Sequence, residues 1–300
     1  MAEEKANIKK SKAKQWKIDL FKRFLSQVER LEHVLHLSMQ GISTLRGMPK
    51  VIEALAAYEA GIDNPKSNSK TRQISPEEAN LIAELAKHEV DSGFPLLHAN
   101  AAVNLWSLLD ALIHSYMCNW IATTPESLSR APIDRLRIKI GEYEKLKGND
   151  RVAYIVDLLE KELSAGLPYG AKRFEKMLAV CEMSGKVSAS IRRDILELAQ
   201  VRNVILHCNS VIDQQFVDSC PWVKLSSGDE LVVTHRMFQR YSEAVHIYAT
   251  ELICRAAEGD GVDMSESRAK LNERKYGKVL VNKSLQPTEI TTTGEHKATE

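Results

Sequence analysis

Asn104-Leu105-Trp106-Ser107-Leu108-Leu109-Asp110-Ala111-Leu112-Ile113-His114-Ser115-Tyr116 is the middle of a stretch, Leu97 to Thr123, that decides the fold class of this chain. Leu105, Trp106, Leu108, Leu109, Leu112, Ile113, Tyr116 and Trp120 cover most of the circumference of a helix rather than one stripe of it. A helix that is apolar nearly all round belongs among other helices, so this segment reads as the buried centre of an all-α bundle. It falls short of the ~18 continuous apolar residues that a membrane span needs.

Upstream, Trp16, Leu20, Phe24, Val28, Leu31 and Leu35 recur every three or four positions, which predicts one long amphipathic helix over about residues 13 to 39, broken by Gly41 and Gly47. A short helix is expected from Met48 to Ala60, and the Pro, Ser and Asn cluster from Asp63 to Ser69 reads as a loop. Ser75-Pro76-Glu77-Glu78 supplies an N-cap, a first-turn proline and first-turn acids, so a helix runs from there to about residue 92, ended by Gly93 and Pro95.

Downstream, helices are expected near 132 to 146, 149 to 164, 170 to 183 and 188 to 213. The two β-rich runs around Ser227-Gly228-Asp229, between Trp222 and Thr234, predict one small β-hairpin. A last helix over about 235 to 258 carries Phe238, Tyr241, Val245, Tyr248 and Leu252 on one side. The expected organisation is an N-terminal helical region over 1–96, packed on or extending a bundle over 97–258. A polar, mobile tail over 259–300 follows, too poor in apolar side chains to offset the entropy of ordering.

The bulk composition is that of an ordinary globular chain, 44% hydrophobic and 27% charged. Forty-one Lys and Arg against 40 Asp and Glu leave a net charge of +1, so any attraction to nucleic acid must be local. Lys5, Lys9, Lys10, Lys12, Lys14 and Lys17 crowd the N-terminus, either as a solvated helix start or as an arm that tracks phosphates. Five cysteines without a CxxC pair point to a reducing cytoplasm, and the N-terminus has no apolar core of a secretion signal. There is no Walker loop, GxGxxG, HExxH or GxSxG, so neither cofactor nor metal is expected. His33 and His36, three apart on the first helix, read as solvated or interface side chains before they read as metal ligands, and Trp106 and Trp120 as core before base-stacking platforms.

The chemistry concentrates in Leu198-Ala-Gln-Val-Arg-Asn-Val-Ile-Leu-His-Cys-Asn209, on a helix whose other face holds Ile195, Leu198, Val201 and Ile205. Asn203 and His207 are four apart and share a face, and Arg202 reaches round to the same edge. Imidazole suits proton transfer near neutral pH, and guanidinium suits a phosphate developing negative charge. These groups suffice for RNA cleavage by its own 2′-hydroxyl. One histidine per chain serves as acid or base but not both, so a homodimer is expected to bring two copies together.

Arg202-Asn203-Val204-Ile205-Leu206-His207 resembles the Arg-polar-x-x-x-His motif of HEPN-domain ribonucleases, on the penultimate long helix where that family carries it. Asn104 to Ile113 resembles the family's Leu-Trp-x-x-Leu-Glu/Asp pattern, with Asp110 at the acidic position, and Phe238 to Ile253 resembles its bundle-closing helix. The resemblance spans about residues 97 to 255. It implies a HEPN-like bundle that dimerises and cuts RNA without metal in a toxin or antiviral role, with an antitoxin or other regulatory protein as a further partner. It further implies that Arg202 neutralises the phosphate, His207 acts as acid or base, and Asn203 orients the histidine or contacts the scissile group. Asp110 would hold Arg202 or His207 in place, or pair with a structural lysine. Cys208, Asn209 and Ser210 stand where active members often carry a tyrosine or a basic residue. The rival reading is a non-catalytic helical dimerisation or partner-binding module, in which Arg202 pairs with Glu197 or Asp110 and His207 caps the helix end.

Overall fold

Leu105, Leu109 and Met117 have no solvent exposure, and they lie along α4 (Pro95–Thr123), the central helix of the structure. This computed structural model describes residues 2–60, 74–164 and 170–273, with side chains over 15–58, 74–163 and 170–273. The chain is helical in α1 (Ala2–Leu45), α2 (Met48–Ala60), α3 (Pro76–Asp91), α4, α5 (Ile140–Tyr143), α6 (Asn149–Ser164), α7 (Ala171–Val180), α8 (Ala189–His207), α9 (Gln214–Ser219) and α10 (His235–Gly259). Three 3-10 turns, Pro125–Ser129, Ile133–Arg135 and Pro221–Val223, link some of them. No strand forms among the described residues. The architecture is an all-α bundle in which α1, α6, α7, α8 and α10 pack against α4. By length and composition α4 could cross a membrane, with a mean hydropathy of 1.3 over its most apolar window, and Leu105, Trp106, Leu109, Leu112, Ile113 and Ile121 of α4 are buried in the core.

Polar caps fix where several helices start. Ser75, Ser188 and Thr234 accept the backbone N–H groups of Glu78 (3.1 Å), Ile191 (3.4 Å) and Met237 (3.2 Å), opening α3, α8 and α10. Each bond satisfies one donor that the first turn would leave unpaired. Gly93 and Phe94, both left-handed, reverse the chain so that Pro95 can begin α4.

Several expectations need correction. Gly41 does not end α1, which continues to Leu45 and breaks only before Gly47. Residues 132–146 do not form one helix. An extended run to Lys139 separates the 3-10 turn Ile133–Arg135 from the single turn of α5. Helix α8 stops at His207 rather than 213, because Asn209 and Ser210 take positive φ and Ser210 N–H turns back to the Val204 carbonyl at 3.1 Å. The hairpin is absent as well. Its second run pairs with the segment leaving α8: Ile212 N–H donates to Asp229, Gly228 N–H to Ile212 and Leu231 N–H to Ser210, at 2.7–2.9 Å. Residues 260–273, expected in a mobile tail, turn back on α10 through Leu271, which is buried, and Arg268, which pairs with Glu251 and Glu258. The loop expected over 63–69 and the tail beyond 273 lie outside the described residues.

One buried carboxylate sets how α8 sits. Glu197, 1% exposed, accepts the Trp222 indole N–H at 2.6 Å and the Tyr241 hydroxyl at 2.6 Å, and is paired by Arg240 of α10, which also reaches Asp194 at 2.7 Å. Burial alone would raise the Glu197 pKa, and the donors from Arg240, Tyr241 and Trp222 outweigh it and hold the carboxyl below its usual range. Replacing Glu197 by Gln removes the charge that Arg240 answers, so urea denaturation is expected to show a loss of about 3 kcal/mol or more; an unchanged midpoint refutes this role.

A second buried polar group lies at the start of α4. His98 Nδ1 meets the Phe94 carbonyl at 2.9 Å and its Nε2 meets His235 Nδ1 at 3.0 Å. Burial pushes the His98 imidazole below its ordinary pKa, against the opposing pull of the Phe94 carbonyl. The unfolded chain therefore takes up this proton first. Stability from this site is full above about pH 6.5 and declines as pH falls toward the folded value. The melting temperature of the wild type is expected to drop between about pH 7 and pH 5.5, and His98→Gln should flatten that slope.

Candidate active site

The C-terminal turns of α8 carry three polar side chains that meet. Ile195, Leu198, Val201 and Val204 are buried against the core, which turns Arg202 and Asn203 to the rim, half-buried, and leaves His207 exposed. Arg202 Nη1 donates to Asn203 Oδ1 at 3.1 Å and lies 3.3 Å from His207 Nε2. Guanidinium only donates, so the acceptor in this contact is the Nε2 lone pair. Sequence reasoning grouped these three side chains from their helical spacing, and the structure brings them into one hydrogen-bonded set.

The guanidinium has neutral partners only. Arg202 forms no ion pair with any described carboxylate, and its Nε is out of contact with solvent without a hydrogen-bond partner among the described residues. Glu197, one of the partners considered for it, is taken by Arg240. Asp110, the other, is half-buried on α4, but the structure pairs it with neither Arg202 nor His207, and with no lysine among the described residues. Other half-buried arginines are neutralised: Arg173 by Glu160, Arg240 by Glu197 and Arg255 by Glu175. A charged group kept partly out of water with no counter-charge is costly.

Exposed apolar side chains lie in the last turn of α8 and in the segments that pair after it. Leu206 is 49% exposed, Val211 44% and Val232 46%. The last two are neighbours because residues 210–212 pair with 228–231.

The remaining histidines are distributed elsewhere. His98 and His235 bond each other, His114 lies 3.1 Å from Asp157, and His246 lies 3.5 Å from Glu32. His33 and His36 are exposed on α1. No group of three or more His, Cys, Asp or Glu side chains gathers into a metal site among the described residues. The cysteines are free, and burial pushes the Cys181 and Cys220 thiols up to about 12, far from the thiolate that nucleophilic attack requires. Trp106 stacks on Phe174 in the core at 5.3 Å between centroids, while Trp120 is half-buried with Arg130 over it at 5.9 Å. Of the N-terminal lysines, Lys17 pairs with Asp260 at 2.8 Å and the side chains of Lys5 to Lys14 lie outside the described residues.

Sequence reasoning missed the support beneath the site. Arg240 and Tyr241 stand 43 and 44 residues from Glu197, and no local pattern links them. The one available signal was Glu197 itself, an acid flanked by Ile195 and Leu198 on a face that must be buried. No family model matches this chain, and neither a curated protein nor a solved structure matches it.

Proposed function

We propose that this protein is a metal-independent endoribonuclease of HEPN type, cutting RNA with Arg202, Asn203 and His207 from two protomers. The observation that carries the reading is the Arg202 guanidinium, half-buried beside an exposed imidazole and lacking any carboxylate partner among the described residues. A phosphodiester brings the charge that this guanidinium lacks. As Arg202 turns to the phosphate it frees Nε2 of His207, which removes the proton from the 2′-hydroxyl; the 2′-oxygen bonds to phosphorus, and the bond to the 5′-oxygen breaks. A second acid returns a proton to that leaving oxygen. The products are a 2′,3′-cyclic phosphate and a 5′-hydroxyl, and RNA itself supplies the nucleophile, so the three side chains need no metal to perform the step.

One chain offers one imidazole at this rim, and acid and base must act together, which is the reason for a two-fold dimer. The exposed Leu206, next to His207 in the chain, supports it, because apolar surface beside a polar site is what a symmetric contact covers. The same apolar rim suits the second reading, a dimerisation module without catalysis. A toxin or antiviral role and control by an antitoxin or other regulatory protein belong to the proposal through the motif's resemblance.

Incubated with total RNA, the wild type is expected to leave cyclic phosphate ends at a rate unaffected by EDTA. His207→Ala and Arg202→Ala should each slow cleavage by about 10²-fold to 10⁴-fold with unchanged circular dichroism. Full activity in His207→Ala defeats the nuclease, and loss of activity in EDTA defeats its metal-independence. Leu206→Asp is expected to turn a dimer into a monomer in sedimentation and to lower cleavage with it; a dimer that survives this change places the contact elsewhere.

A further inference from the structure

A trough between α7 and the first half of α8 gathers five basic side chains. It consists of two cavities, about 260 Å³ and about 550 Å³, joined where Lys172 of α7 faces Arg192 of α8. Lys172, Lys176, Lys186, Arg192 and Arg193 line it, all exposed, and none forms an ion pair among the described residues. The one carboxylate in the lining, Glu175, is engaged by Arg255 at 2.8 Å, the Tyr248 hydroxyl at 2.8 Å and Gly185 N–H at 2.6 Å. Five cations without an ion pair among the described residues in one trough, on a chain whose net charge is +1, call for a polyanion rather than an apolar or singly charged ligand.

An aromatic platform closes one end. Trp222, half-buried, is pinned at its ring edge by the bond from its N–H to Glu197, and the Arg193 guanidinium lies over the ring at 5.1 Å from the centroid. A fixed indole layered with a guanidinium is a surface on which an unpaired base stacks, whereas the bases of a duplex are already stacked on each other. Arg192 and Arg202 are ten residues apart on the same helix, so about 15 Å separates the trough from the candidate active site along the axis, a span of a few nucleotides.

We propose that this trough binds single-stranded RNA, its phosphates on the lysines and arginines and a base on Trp222, as the docking segment of the substrate cut at His207. The choice of RNA rests on the nuclease reading above. The charge and the platform stand without it.

Fluorescence anisotropy with a 2′-O-methylated oligouridylate, which resists cleavage, tests the trough apart from the chemistry. Lys172→Glu with Arg192→Glu is expected to weaken binding at least tenfold and to reduce the salt dependence by about two released counterions. The control pair Lys50→Glu with Lys87→Glu, on α2 and α3, should leave binding unchanged. Wild-type affinity in the trough variant, an equal loss in the control, or equal affinity for a duplex overturns the proposal, as does binding to acidic lipid vesicles without binding to the oligonucleotide. If the trough variant loses binding but the wild type cuts no RNA, the nuclease reading fails and the trough remains a single-strand site.

Discussion

A carboxylate buried on one helix leaves that helix little freedom to rotate. Glu197 sits out of water on α8 and is answered by donors from α10 and from the 3-10 turn at Pro221–Val223. Turning α8 by one residue, about 100°, would carry Glu197 away from all of them. An uncompensated buried charge costs several kcal/mol, a large share of the 5–15 kcal/mol that holds a typical domain folded. With the rotation fixed, Leu198, Val201 and Val204 face the core, Arg202 and Asn203 fall at the rim, and Arg192 and Arg193 stand at the far end of the same helix. The Glu197 bond to Trp222 also holds the aromatic end of the trough. One ionic cluster therefore positions both surfaces assigned a role here.

The near-neutral total conceals a sorting of charge. Arg240, Arg255 and Arg268 are paired with carboxylates on or against α10 and act as internal ties. Arg202, Arg192 and the trough lysines are not paired among the described residues. Net charge describes long-range attraction, but recognition of a phosphate depends on which cations are left without partners and on how they are spaced. A chain at +1 can therefore hold a local field suited to a polyanion without being basic as a whole.

Elements whose signals are local were legible in the sequence. Ser75 before Pro76, the all-round apolar character of Leu97 to Thr123 and the four-residue spacing of Asn203 and His207 each specify their structure within a turn or two. What depended on distant partners was not. The run at Leu231-Val232-Val233 alternates like half of a hairpin, but its partner is set by the left-handed Asn209 and Ser210, which aim residues 210–212 at it. Asp110 stands one helix away from the motif, and the sequence leaves open whether it meets the motif or a lysine; which side of α4 meets α8 is a matter of helix crossing that spacing does not encode. The trough escaped notice for the same reason, since its cations come from α7, a loop and α8, and only their packing brings them together.

A single rigid helix joins the proposed trough to the proposed reactive rim, and a substrate held at both would be constrained by it. A flexible connection would let the scissile bond wander by several ångströms, whereas proton transfer needs its partners within about 3 Å. Helix α8 is hydrogen-bonded without interruption from Ser188 to His207, and its inward face is packed along most of that length. Phosphates held at Arg192 would thus stand at a set distance from Arg202. That geometry favours a flexible, extended single strand, which adapts to the spacing, over a duplex, whose phosphates are fixed on their own helix. On the proposed reading, the protein's rigidity selects for the substrate's freedom.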